Sequence, residues 1–267
     1  MLENELRDAI ARNEFEVHYQ PVVDAKTRLI RGAEALVRWR HPSKGLVAPD
    51  QFIPLAEATG LILPLGEWIL HRACTDAASW PAHLKIAVNI SAVQVSKGNL
   101  LDVMLYTLME TGLSPERLEL EITETALLEN ATAHLGTIRQ LKNLGISMAL
   151  DDFGTGYSTA SYLTNFPFDR IKIDKSFAQG APNRRDCAAV VSSVLALARG
   201  LGIATTAEGV ETEEQFEYLR TAGVDLVQGY LFGRPVPLSE FGLDAAVSFG
   251  NNAADGKLCA GIIMAGR

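Results

Sequence analysis

Short aliphatic or β-branched runs alternate with stretches of helical period along most of this chain. The runs that predict strands are Glu16–Val22, Leu29–Trp39, Lys85–Ile90, Leu118–Ile122, Ser147–Asp151, Arg170–Ile173, Ala204–Glu208 and Leu226–Gln228. Between them, Leu65, Trp68, Ile69, Ala73 and Cys74 recur at helical spacing, as do Val190, Val191, Val194, Leu195 and Leu197. Gly112, Gly145, Gly202 and Gly223 follow helical stretches, where a left-handed C-terminal cap is expected. Strands alternating with helices are the signature of βαβ units, and eight of them in one chain predict an α/β fold, a TIM-type (β/α)8 barrel. Only Asp24–Arg28 separates the first two strands. A parallel pair needs a crossover of roughly a dozen residues or more, so the first strand is expected to be antiparallel to the second.

Successive side chains point to opposite faces of a strand, and here one face of each run is polar at its end. Ser147, Ala149 and Asp151 oppose Met148 and Leu150; Glu119 and Glu121 oppose Leu118, Leu120 and Ile122; Ala87 and Asn89 oppose Ile86 and Val88. Glu34, Leu36 and Arg38 share a face, Ala204, Thr206 and Glu208 share another, and Lys172 opposes Ile171 and Ile173. The aliphatic faces are expected against the helices. The polar faces then point inward and end, near the C-terminal rim where such barrels keep their active sites, in Glu34, Asn89, Glu121, Asp151, Lys172, Glu208 and Gln228. Carboxylates gathered from several strands would repel one another unless cations neutralised them. Asp151-Asp152 precedes Phe153-Gly154-Thr155-Gly156, whose glycines permit a tight loop that turns both acids into one site. One carboxylate bridging two cations, with its neighbour on the second, is a common two-metal arrangement. The loop lacks GxGxxG and GxxxxGK[ST], which speaks against a nucleoside triphosphate site.

Composition narrows the function further. The chain has 267 residues, 48% of them hydrophobic, and a formal net charge of −8. The charge argues against a nucleic-acid polymer as partner, while leaving a phosphorylated substrate held through cations open. No apolar run reaches the roughly 18–20 residues of a membrane span, and the charged start MLENELRDAI lacks a signal-peptide core, so a cytoplasmic location without membrane contact is expected. Cys74, Cys187 and Cys259 are odd in number and stand in no metal-ligand spacing. The barrel is expected over 1–245 and a poorly ordered tail over 246–267.

The motifs occur in a specific order. Tyr19-Gln20-Pro21 is followed by Glu34-Ala35-Leu36-Val37-Arg38-Trp39, Phe52-Ile53 behind Pro49, Asn89-Ile90-Ser91 and Glu121-Ile122-Thr123-Glu124. Then come Asp151-Asp152-Phe153-Gly154-Thr155-Gly156-Tyr157-Ser158, Ile171-Lys172-Ile173-Asp174, Ala207-Glu208-Gly209-Val210-Glu211-Thr212, Gln228-Gly229-Tyr230 and Arg234-Pro235. In this order and spacing, over about residues 3–242, the chain resembles the EAL family of cyclic di-GMP phosphodiesterases. It departs at Ser158-Thr159-Ala160, where Ser-Ser-Leu is more usual in the family.

The resemblance implies hydrolysis of cyclic di-GMP to linear pGpG with two Mg²⁺ or Mn²⁺ ions, Ca²⁺ being inhibitory. It implies Glu34, Asn89, Glu121 and Asp151 on one metal, and Asp151, Asp152 and Glu208 on the other. Lys172 is expected at the nucleophilic water or the phosphate, and Glu211 as a water-holding residue. Gln20, Leu36, Arg38, Asp174, Gln228, Arg234 and Pro235 are expected at the substrate, and Glu124 as a stabiliser of the Asp-Asp loop. Some family members bind the dinucleotide without cleaving it, and these usually lack a ligand; here none is missing. The segment Leu2–Arg12 resembles the helix joining such domains to an upstream GGDEF or sensor module, possession of which would make the chain an excised domain. Homodimerisation is a further expectation from the family.

Overall fold

The computed structural model describes residues 2–128, 131–154, 163 and 165–242. The expected tail at 246–267 and the loop residues Thr155–Ala160 lie outside them.

All eight expected strands form, and two short ones join them. They are β1 (Phe15–Asp24), β2 (Ile30–His41), β3 (Gly45–Val47), β4 (Lys85–Asn89), β5 (Leu118–Thr123), β6 (Ser147–Phe153), β7 (Arg170–Ile173), β8 (Ala204–Ala207), β9 (Leu226–Gln228) and β10 (Val236–Pro237). The ring runs β1-β9-β8-β7-β6-β5-β4-β2 and closes through β1–β2. From β2 through β4 to β9 each neighbouring pair is parallel, whereas β1 is antiparallel to both β2 and β9. The short first connection leaves no other arrangement. β3 and β10 extend the outer flanks of β2 and β1; both escaped the sequence reading because two or three residues carry no period.

The helices pack as the alternation predicts. Ile62–Ala78 buries Leu65, Ile69, Ala73 and Cys74, and Arg185–Leu201 buries Val191, Val194 and Leu195. Gly112, Gly202 and Gly223 are left-handed C-caps, with φ of 70°, 70° and 93°. Outward strand residues Ile86, Val88, Leu118, Leu120, Ile122, Met148, Leu150, Ile171 and Ile173 are all buried. The outer face of β1 packs on the helix Ile62–Ala78 and its flanks, with the Phe15 and Trp68 ring centroids 6.2 Å apart. Tyr19 packs edge-on against Trp80 at 5.3 Å and beside Phe241 at 6.0 Å, while its hydroxyl donates to Asp76 Oδ2 at 2.6 Å. A buried phenol with that acceptor keeps its ring apolar contacts without stranding its polar tip. Among the described residues no helix is long and apolar enough to cross a membrane.

The inward face is layered. Toward the N-terminal ends of the strands, Arg170 Nε bonds Glu119 at 2.8 and 3.0 Å, so the charges there are matched in pairs. Alternation along β5 and β7 puts Glu121 and Lys172 one layer above them, toward the C-terminal rim.

Candidate active site

The inward positions at the C-terminal rim converge. Lys172, 2% exposed, lies with its Nζ 2.6 Å from Glu121, 2.7 Å from Glu208, 3.3 Å from Asp151 and 3.7 Å from Glu34. Four carboxylates from four separate segments therefore surround one ammonium. Asn89 Nδ2 donates to Glu34 Oε1 at 2.6 Å, and Gln228 Nε2 donates to Glu34 Oε2 at 2.7 Å and to Gln20 Oε1 at 3.0 Å. Gln20 and Glu34 are direct cross-strand partners on β1 and β2, and Asn89 and Glu121 are partners on β4 and β5.

Asp151 and Asp152 reach the same site at an irregularity in β6. The β6–β7 register shifts between Leu150 and Phe153, and Asp152 itself adopts φ 54°. A bulge of this kind lets two consecutive side chains leave the strand on one side, and Asp is among the few residues that tolerate the left-handed region. Asp151, Asp152 and Glu208 consequently offer oxygens that all lie within 4.8 Å of one another. Glu124 Oε2 accepts from the Gly154 amide at 3.3 Å, just past the bulge.

The electrostatics follow from burial. Burial alone would depress Lys172, but Asp151, Glu121, Glu208 and Glu34 outweigh it and hold its pKa well above the ordinary value. Burial raises Glu121 well above the carboxylate range despite Lys172, with Glu34, Asp151 and Glu119 adding to the rise. Glu208 is pushed up to about 8 by burial, against Lys172 and with Asp151 and Glu34. Asp152 is raised by burial and by Asp151. At Glu34 burial also works upward, yet Lys172 and the hydrogen bonds from Gln228 and Asn89 prevail and hold it low. One ammonium is shared by too many acids, which is the condition that added positive charge relieves.

The site opens into a cleft of about 240 Å³ whose wall includes Gln20, Glu34, Leu36, Glu208, Glu211 and Gln228. Lys175, Gln179 and Tyr230 also line it, and the sequence reading named none of them as site residues. Arg234 stacks over the Tyr230 ring at 4.1 Å, beside Pro235 at the rim. Arg38 is half-buried and donates to its neighbour's carbonyl, Val37 O, at 2.9 Å. Asp174 is engaged as an N-cap, accepting from the Ser176 amide at 3.0 Å and from its hydroxyl, and does not line the cleft. A larger cavity of about 340 Å³ lies at the other end of the strands, beside Arg139, Lys142 and Phe166; among the described residues its lining holds no carboxylate.

The donor set suits hard divalent cations. It consists of carboxylate and amide oxygens, and Gln228 Oε1 and Thr206 Oγ1 are buried here without a hydrogen-bond partner among the described residues. Oxygen-only sets of this kind favour Mg²⁺ or Mn²⁺ over softer metals.

Comparison with known proteins agrees with this geometry. Residues 3–235 match the model of the EAL domain. The chain is 42% identical over 242 residues to the cyclic di-GMP phosphodiesterase NbdA of Pseudomonas aeruginosa, covering 89% of this chain and 31% of that one. It is 43% identical over 241 residues to the bifunctional diguanylate cyclase/cyclic di-GMP phosphodiesterase MucR of the same organism, covering 89% and 35%. The solved PaMucR phosphodiesterase in complex with c-di-GMP superposes with a TM-score of 0.85 at 44% identity, over 88% of this chain and 97% of that one. The chain spans about a third of the length of the curated relatives it matches.

Proposed function

The chain belongs to the EAL domain family, and from that premise we propose that it is a divalent-cation-dependent phosphodiesterase that opens cyclic di-GMP to linear pGpG. The observation that carries this reading is the convergence of Glu34, Glu121, Asp151 and Glu208 on Lys172 at the mouth of an open cleft. Glu34, Asn89, Glu121 and Asp151 would hold one cation, and Asp151, Asp152 and Glu208 the other. When bound, such cations supply activation of water and neutralisation of phosphoryl charge.

The chain's own groups do the rest. Lys172 is fixed, charged and desolvated, so it donates to a phosphoryl oxygen as negative charge grows there. Gln20, Leu36, Gln228 and Tyr230 line the wall along which the dinucleotide lies, with Arg38 and Arg234 at the rim for its phosphates. Glu211 holds water at the cleft. In the reaction the oxygen of water bonds to phosphorus, the P–O3′ bond breaks and the ribose 3′ oxygen takes up a proton. Homodimerisation, a cytoplasmic setting and an upstream GGDEF or sensor domain accompany this reading as expectations of the family.

The test is incubation with cyclic di-GMP and Mn²⁺, with products resolved by chromatography. Linear pGpG should form, vanish with EDTA and be missing in Glu34→Ala. Retained binding of the dinucleotide with no product would make the chain a receptor instead.

A further inference from the structure

The turn between β8 and the helix Glu213–Ala222 delivers both Glu208 and Glu211 to the cleft. The β7–β8 ladder ends at Ile173–Ala207, immediately before Glu208. Beyond that point the turn is held by single contacts. Glu208 N donates to the Ile173 carbonyl at 3.1 Å, Val210 N to the Gln228 carbonyl at 3.0 Å, and the Val210 carbonyl accepts from Leu231 N at 3.0 Å. Glu211 N donates to Gln215 Oε1 at 2.8 Å. The Gly209 carbonyl is taken by a side chain from elsewhere: Gln179 Nε2 donates to it at 2.8 Å.

Gln179 sits on the short helix Lys175–Gly180, which directly follows the strand that carries Lys172. That helix presses on the turn. Gly209 has φ +66°, and a Cβ there would lie 2.4 Å from Lys175 Cβ and 3.2 Å from Gln179 Nε2. Glycine is thus required both by the left-handed backbone and by the close approach. The amide of Gln179 ties the segment bearing Lys172 to the segment bearing Glu208 at the height where strand pairing has stopped.

We propose that Gln179 is a positioning residue, whose bond to the Gly209 carbonyl keeps the Glu208 carboxylate aimed at Asp151 and Asp152. The inference rests on the two-cation reading of the site. Groups that orient metal ligands from behind typically govern metal affinity by about 10–100-fold.

The experiment compares wild type, Gln179→Ala and Gln179→Glu by calorimetric titration with Mn²⁺, by thermal unfolding in EDTA, and by hydrolysis at varied Mn²⁺. Gln179→Ala should bind Mn²⁺ about tenfold more weakly, melt as wild type does in EDTA and keep its KM for the dinucleotide. Its kcat should recover when Mn²⁺ is raised. Gln179→Glu loses the donor and sets an acceptor against the carbonyl, so it should bind at least as weakly. Unchanged Mn²⁺ affinity in both variants overturns the inference and leaves the proposed function standing. A raised KM at unchanged Mn²⁺ affinity makes Gln179 a substrate contact and overturns it as well. A fall in melting temperature that accounts for every other change reduces Gln179 to a structural residue. Wild type that binds no Mn²⁺ removes the proposed function and this inference together.

Discussion

Replacing Lys172 by Met removes the positive charge among the four carboxylates while keeping the length and much of the volume of the side chain. Lys172 is 2% exposed and lies within 3.7 Å of Glu34, Glu121, Asp151 and Glu208. Removing one partner from a buried ion pair costs about 3–5 kcal/mol, because the remaining charge is stranded. At roughly 2–4 °C per kcal/mol for a domain of this size, the metal-free variant should melt some 6–20 °C lower. The loss should depend on pH in a defined direction. Burial already pushes Glu208 up to about 8 from its ordinary 4.5, and loss of the ammonium can only raise it further. A carboxyl raised in the folded state binds protons that the unfolded state does not, so its folding stability falls as pH rises through that window. The penalty of Lys172→Met should therefore be larger at pH 8.5 than at pH 6. Mn²⁺ supplies positive charge to the same oxygens and should restore most of the loss. Thermal and urea unfolding in EDTA and in Mn²⁺, at both pH values, reads all of this. An equal loss with and without Mn²⁺, or no loss in EDTA, would refute the view that Lys172 acts as counter-ion to the ligand carboxylates.

Three further outcomes follow from the same geometry. Burial pushes Glu208 up to about 8, so metal binding must expel a proton from it below that pH; Mn²⁺ affinity should therefore climb as pH rises from 6 to 8. Titration calorimetry in buffers of different ionisation heat should register the released proton, and a flat affinity would contradict the assignment. Gly229→Ala would put a Cβ 2.1 Å from the Val210 carbonyl oxygen, a backbone atom that cannot step aside. That substitution should cost at least about 1–3 kcal/mol and displace the adjacent Gln228, lowering kcat/KM; wild-type unfolding midpoints would show that the turn yields. Arg170→Met strands the buried Glu119 beneath the site and should destabilise by about 3–5 kcal/mol at neutral pH, while leaving Mn²⁺ affinity within a fewfold of wild type; denaturant melts and the same titration check both halves.

The strands were legible because alternation is a local property. A period of two along Leu118–Ile122 tells which residues share a face, and the length of Asp24–Arg28 tells that no crossover helix fits. For the same reason Glu34, Asn89, Glu121, Asp151, Lys172 and Glu208 could be set on inward faces near strand ends, and the ordered motifs pointed to the EAL family. What the chain did not spell out is height and closure. Which inward residues meet depends on the stagger between strands, so Gln228 bonding Glu34 across 194 residues, or Arg170 pairing with Glu119 beneath Lys172, emerges only when the ring closes. The bulge at Asp152 was equally hidden, because the neighbouring glycines looked sufficient to make the turn and the register shift depends on β7. Asp174, expected from its motif at the substrate, also caps the helix Lys175–Gly180, a local partnership that spacing alone does not reveal. Gln179 carried no signal at all: its role arises where a helix following one strand presses on the turn following the next, a contact between segments that no periodicity within either one encodes.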